Sequence, residues 1–207
     1  MRDHPFQDLL LRYSQEADEA ERRQIEQTLW RDYGSHQVVL VVDMSGFSSL
    51  TSRYGIVHYL SMVRRMQLTA EPIIRGFGGV LLKFEADNAF AIFPEVEGAV
   101  RTAAALNLAF DAANRMTPDA LDIHIACGID VGDILVVEQR DFFGDAVNRA
   151  CKLGEDLAEP GEILMTTEAK QELGEPPSDE GQVWQIESRQ FRISGLRLDA
   201  VSMRLQT

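Results

Sequence analysis

The chain is short of the side chains that cross-link a fold or grip zinc: two cysteines and four histidines in 207 residues. Cys127 and Cys151 lie in apolar segments, and neither they nor His4, His36, His58 and His124 show metal-type spacing. That excludes a disulfide framework or zinc as the organising principle, and it suits a reducing compartment. Positive charge is scarce as well. Twenty Lys and Arg face 33 Asp and Glu, a formal net charge of -13. A nonspecific nucleic-acid binder needs a basic face, so no nucleic-acid partner is expected. A nucleotide ligand stays open, because one local cluster with a metal holds phosphates. No apolar run is long enough to span a bilayer, and the opening MRDHPFQDLL has no apolar signal core. A cytoplasmic protein without a membrane span is the expectation.

What is present is an ordinary globular composition, 45% hydrophobic, long enough for one domain with a substantial core and an appendage. Residues 6–33 read as one helix, with Phe6, Leu10, Tyr13, Ala17, Ala20, Ile25 and Leu29 along a rough stripe. Asp3 and Pro5 suit its start and Gly34 its end. It either packs on its own domain or serves dimerisation or signal relay. The division expected is a helical segment at 1–34 and the main domain at 35–207.

The main domain alternates. Residues 38–42 are an apolar strand, and 56–75 a helix that Pro72 bends or interrupts near its end. Gly76, Gly78 and Gly79 form a turn, not a dinucleotide fingerprint. Strands 80–84 and 89–93 flank the hairpin residues Asp87 and Asn88. A helix at 95–115 follows. Leu121, Ile123, Ile125, Cys127 and Ile129 then alternate with Asp122, His124 and Asp130, the latter set facing away from the core. Gly132-Asp133 is read as a turn into strand 134–137, and 145–157 as a third helix. Short strands near 162–165, 183–186, 190–194 and 200–204 finish the chain. A right-handed crossover puts the first two strands in one sheet. The fold class is therefore α+β, a ferredoxin-like sheet with helices packed on one face.

Asp43 is out of place at the end of a buried strand, because a carboxylate there costs desolvation unless it is paired, solvated or bound to a cation. If the following hairpin pairs beside that strand, Asp87 reaches the same edge. Two convergent carboxylates suit hard divalent cations, with phosphates completing the coordination. The small-residue loop from Met44 through Ser45 and Gly46 to Phe47 offers N–H groups to phosphate oxygens, which makes Gly46, Phe47 and Ser48 candidate nucleotide contacts. Ser45, Ser48 and Ser49 lack a nucleophile-elbow context.

DMSGFSSLT, GGVLLKFEADNAFAIF and GIDVGDILVV with RDFFGDAVNRACKL resemble, in order and separation, the three signature blocks of the class III nucleotidyl cyclase catalytic domain. The likeness covers roughly residues 37–204. It implies attack of a ribose 3′-oxygen on the α-phosphorus with release of pyrophosphate. It implies two Mg²⁺ or Mn²⁺ ions on Asp43, Asp87 and the Met44 carbonyl. Lys83 and Asp141 fall where the family reads adenine, and Asn148 where it holds the transition state. Sites in the family are completed across a dimer interface, so ATP as substrate and a homodimer are expected. Three residues depart from the pattern. Lys152 stands where arginine is usual, Ser194-Gly195 replaces a lysine-glycine pair, and Ala86 replaces a glycine. Arg192 and Arg197 are the substitutes near the second of these. These departures suit a slow or activator-dependent enzyme, and the alternatives are a nucleotide-binding regulatory module with little turnover or a cyclase for CTP or UTP. The GGDEF-type hairpin of diguanylate cyclases is absent.

Overall fold

The apolar run 38–42 forms the middle of β1, Gly34–Met44, at the centre of an eight-stranded sheet in the computed structural model. The structure describes residues 5–178, 183–193 and 196–206. The side chains of Phe47, Ser48, Ile193 and Leu196 are outside that description, as are Asp3, Ser194 and Gly195. After β1 come α3 (Phe47–Tyr54), α4 (Ile56–Gly76), β2 (Val80–Glu85), β3 (Asn88–Phe93), α5 (Val96–Asn114), β4 (Ile125–Val137) and β5 (Asp141–Phe143). Then α6 (Asp145–Cys151) runs into a π-helical segment, Lys152–Leu157, followed by β6 (Ile163–Thr166), α7 (Thr167–Leu173), β7 (Val183–Ile193) and β8 (Leu196–Gln206). Two helices precede β1: α1 (Pro5–Gln15) and α2 (Glu19–Tyr33).

The strand order is β2-β3-β1-β4-β6-β8-β7, with β5 attached to β4 alone. Its first four strands are the ferredoxin-like order: β3 lies between β1 and β2, antiparallel to both, and β1 is antiparallel to β4. β1 is apolar on both faces because both are covered. Val38, Leu40, Val42 and Met44 join α4 and α5 in the larger core cluster, while Val39 and Val41 join Phe142 of β5 and Ala146, Val147 and Ala150 of α6. Each fully buried Val, Leu, Met or Phe side chain among them contributes roughly 1.5–3 kcal/mol.

Several expectations need correction. The helices do not share one face, since α6 lies opposite α4 and α5. The single N-terminal helix is two. Glu16 Oε1 accepts the backbone N–H groups of Ala17 and Asp18, and the Asp18 carboxylate then accepts from Ala20 as the N-cap of α2. Gly132-Asp133 is no turn. β4 runs through it paired with β1, and His36 meets Asp133 at 2.8 Å across the two strands. Asp130 does not face solvent. It is fully buried, held by Arg149 Nε of α6 at 2.6 Å and Thr166 Oγ1 at 2.5 Å. The helix read to 115 and the helix carrying Pro72 are both found, the latter running on to Gly76. β7 joins two strands that had been read separately, and α3 and α7 had not been read at all.

Two glycines set the height of α6 above the sheet. A β-carbon on Gly128 of β4 would lie 2.0 Å from the Ala150 carbonyl oxygen and 2.4 Å from Gly154 N, and one on Gly154 would lie 2.9 Å from Gly128 N. The obstacles are backbone, so little can give. Gly128→Ala is expected to cost about 3 kcal/mol, at the upper end of overpacking. Gly132→Ala, whose β-carbon meets only Ala146 at 3.4 Å, should cost under about 1 kcal/mol. Urea unfolding of both variants checks this, and equal losses would contradict the close approach.

Candidate active site

The β1–β3 register places Asp43 directly opposite Asn88, and the Met44 N–H donates to the Asp87 carbonyl at 3.3 Å. The two carboxylates therefore end on the same edge. β2 and β3 are joined through Ala86 and Asp87, since Glu85 pairs with Asn88. Ala86 carries φ 51. Glycine is favoured at such a position, and the β-carbon costs about 1–2 kcal/mol. The departure noted in the sequence is thus held as strain at the hairpin tip, beside Asp87.

Asp43 is half-buried and in acidic company. Burial first, then Asp87, Glu155 and Asp156, push its carboxyl up to about 7. Burial, with Asp156 and Asp87, also pushes Glu155 up, against a hydrogen bond with Cys151. Lys152 is the cation of this region, and it is folded onto Asp156 at 2.5 Å. Both acids stand on the π-helical segment, a rare geometry that recurs at functional sites. Lys152 N still donates to the Asn148 carbonyl, so the i,i+4 relation of Asn148 and Lys152 survives. Asn148 is exposed, with no side-chain hydrogen bond among the described residues.

These residues fit a divalent cation. Asn88 Oδ1 is buried with no hydrogen-bond partner among the described residues. Directly opposed residues have side chains on one face, with β-carbons roughly 5 Å apart, so this oxygen stands beside Asp43. An acidic cluster and an unpaired oxygen are what a cation with its bound water satisfies. No group of three or more His, Cys, Asp or Glu is arranged to hold a metal among the described residues, so the protein oxygens are the two carboxylates, the Met44 carbonyl and Asn88. The sequence reading missed Asn88. Its one signal is its place after Asp87, and hairpin chemistry explains an asparagine there equally well.

The phosphate-facing N–H groups differ from expectation. Met44 N is taken by Asp87, and Ser45 N by the His124 carbonyl at 2.9 Å. Gly46, at φ 98, is the N-cap of α3, and the free N–H groups belong to the first turn of that helix, from Phe47 onward.

The base-reading candidates meet side chain to side chain. Lys83 Nζ is 3.1 Å from Asp141 Oδ1 and 3.1 Å from Glu85 Oε2, and 5.4 Å from the Phe90 ring centroid. These hydrogen bonds raise the Lys83 pKa although its burial opposes them. Asp141 Oδ1 also accepts the Phe142 N–H at 3.0 Å. Of the arginines near the missing lysine, Arg197 is bound to Asp199 at 2.8 and 3.0 Å. Arg192 lies directly opposite it, without an ion pair among the described residues.

No protein-family model matches the chain. It is 34% identical over 128 residues, 62% of its length, to the Rhizobium meliloti (strain 1021) protein named "Putative adenylate cyclase 3", and spans 22% of that protein. An adenylate/guanylate cyclase/hydrolase from Silicibacter pomeroyi superposes with a TM-score of 0.64 at 28% identity, over 84% of this chain and 98% of that one. The catalytic core of a rhodopsin-guanylyl cyclase with converted specificity, in complex with ATPalphaS, superposes at 0.66 over 84% of this chain and 99% of that one. At 17% identity, that second likeness speaks for the fold. In sequence and fold the chain is similar to proteins named as adenylate and guanylate cyclases. No helix among the described residues is long and apolar enough to cross a membrane.

The Asp43 cluster has a measurable cost. With a folded pKa of about 7 and an unfolded value near 3.9, the carboxylate is neutral in both states well below pH 4. Its cost grows as pH rises through this window and is complete above pH 7. Asp43→Asn is therefore expected to stabilise the metal-free protein at pH 8 by about 1–2 kcal/mol, after allowance for solvent screening. Mn²⁺ should raise the melting temperature of the wild type and leave that of the variant unmoved. A variant less stable at pH 8, or one equally stabilised by Mn²⁺, would contradict the electrostatic account.

Proposed function

We propose that the chain cyclises ATP to 3′,5′-cyclic AMP and pyrophosphate as a homodimer whose sites are shared between two copies. The observation that carries this reading is the Lys83–Asp141 pair, a fixed donor beside a fixed acceptor at 3.1 Å. Lysine only donates and aspartate only accepts. Adenine offers N1 as acceptor and its 6-amino group as donor, which matches both. Guanine reverses the two and would leave buried polar groups unpaired. When the base enters, Lys83 turns from Asp141 while Glu85 keeps it neutralised.

Two divalent cations, Mg²⁺ or Mn²⁺, held by Asp43, Asp87, the Met44 carbonyl and Asn88, would supply activation of the 3′-hydroxyl and neutralisation of phosphate charge. The first turn of α3 receives phosphate oxygens through its N–H groups. Asn148 orients the ribose, and Lys152 faces the charge that develops at the α-phosphorus. A lysine keeps the charge but lacks the planar fork of arginine, and the loss of an ideal donor costs on the order of a hundredfold. Lys152 must also leave Asp156, so turnover is slow or waits for an activator. Arg192, without an ion pair among the described residues, replaces the absent lysine toward the triphosphate.

Charge supports the sharing of sites. Around Asp43 one copy gathers Asp87, Glu155 and Asp156 against a single lysine already paired with Asp156. A triphosphate there needs cations that this copy does not supply. A second copy brings its own Lys83, Asn148 and Lys152, and two-fold symmetry makes two equivalent sites.

The same pair admits a second reading, because cytosine N3 and its 4-amino group repeat the adenine edge. Purified protein with Mn²⁺ and, separately, ATP, CTP, UTP and GTP, with products identified by mass spectrometry, decides between them. Cyclic AMP alone is expected, and Asp43→Ala should lower its formation by a hundredfold or more with unchanged circular dichroism. Cyclic CMP as the main product would transfer the assignment to a pyrimidine cyclase. Nucleotide binding with no cyclic product would make the domain a regulatory module. Wild-type rates in Asp43→Ala would overturn the metal assignment.

A further inference from the structure

The N-terminal helices reach the strand that carries Asp141. The break at Ala17-Asp18 lets α1 fold back along α2 and carry Phe6 to the β4–β5 hairpin, where it is 2% exposed. There the Phe6 ring stands edge-on to Tyr33 at 5.0 Å and stacks on Phe143 at 5.9 Å, with 10° between the planes. Val137 and Leu135 complete this cluster with Ile25, Leu29 and Leu9.

The hairpin makes that contact consequential. β5 has three residues and pairs with β4 alone: Leu135 with Phe143, Val136 with Phe142, Val137 with Asp141. Period-two alternation puts Leu135, Val137, Asp141 and Phe143 on one face, the face Phe6 covers. Val136 and Phe142 take the other, where Phe142 meets Phe90 at 5.9 Å. The direct cross-strand partner of Asp141 is thus a member of the Phe6 cluster. The turn itself gives little help. Glu138 and Gln139 both sit at φ 51, where non-glycine residues are strained. A three-residue strand behind a strained turn owes its position to what packs on it.

We propose that Phe6 is a positioning residue for base recognition, holding β5 through Phe143 so that Asp141 stays beside Lys83. This rests on the reading of Lys83 and Asp141 as the pair that meets the base. The N-terminal helices then belong to the site as packing, two residues from the acid, without touching nucleotide. Loss of the contact leaves the metal carboxylates and α3 in place and loosens only the acceptor for the amino group. The expected effect is a loss of discrimination between bases, with phosphate binding preserved.

Equilibrium binding tests this without turnover. The probes are α,β-methylene-ATP, its guanosine counterpart and inorganic tripolyphosphate, titrated with Mn²⁺ into the full chain by calorimetry. Phe6→Ala and Phe143→Ala are each expected to lower the adenine-over-guanine affinity ratio at least fivefold and to shift tripolyphosphate affinity less than twofold. Phe6→Leu, which refills the space, should restore the ratio to within twofold of wild type. Phe143 is 44% exposed, so its truncation carries the test if Phe6→Ala does not fold. Asp141→Asn is the reference. If it lowers the ratio while folded Phe6→Ala and Phe143→Ala keep it, the positioning role is overturned and the base-reading pair stands. A wild type with no preference between the two analogues overturns both. A uniform loss for all three probes would make Phe6 structural only and overturn the proposal.

Discussion

The structure depends on one register, the antiparallel pairing of β1 with β3 that sets Asp43 against Asn88. Strand side chains alternate, so a slip of one residue would turn Asp43 into the α4–α5 core and bring Val42 to the α6 face. The register is secured by burial on both faces of β1, from Val38 to Val42. The same pairing brings the Asp87 loop against Met44, the Glu85–Asn88–Asp43 row across three strands, and Lys83 and Phe90 one step further along. Asp43, Asp87, Lys83 and the helix that carries Asn148 all take their positions from it.

That scaffold tolerates an unfavourable cluster. Asp87, Glu155 and Asp156 raise the cost of ionising Asp43, and Asp156 and Asp87 that of ionising Glu155, Asn88 Oδ1 has no hydrogen-bond partner among the described residues, and Ala86 is strained beside them. These costs sit together, whereas the other buried acid, Asp130, is fully hydrogen-bonded by Arg149 and Thr166. The contrast separates two uses of a buried carboxylate. Asp130 fastens α6 to the sheet. Asp43 is left short of positive charge, and a bound cation would relieve it.

The β1 strand, the hairpin at Asp87 and the meeting of Asp43 with Asp87 were legible because long apolar runs and turn residues mark them directly. The shared edge followed once the hairpin was placed beside β1. What escaped the sequence depends on contacts rather than on local pattern. Gly132-Asp133 looks like a turn, but pairing with β1 out to Gly34 keeps it extended. Asp130 alternates with apolar neighbours as a surface residue would, and its burial is explained only by distant partners, Arg149 and Thr166. The helix break at Asp18 was present as capping chemistry but was outweighed by the apolar stripe. β5 is too short for any periodicity, and the π-helical turn follows from two glycines that meet in space at Gly128 and Gly154.

In the proposed homodimer, one chain carries both halves of a site that only a second copy completes. Co-expression of Asp43→Ala with Asn148→Ala tests this most directly, by cyclic AMP formation from ATP with Mn²⁺. Each variant alone should be inactive. Random pairing gives half the dimers one intact site of two, so the mixture should recover about a quarter of wild-type activity. A mixture as inactive as its parts, with dimers present, would show that each copy works with its own residues and would contradict the account.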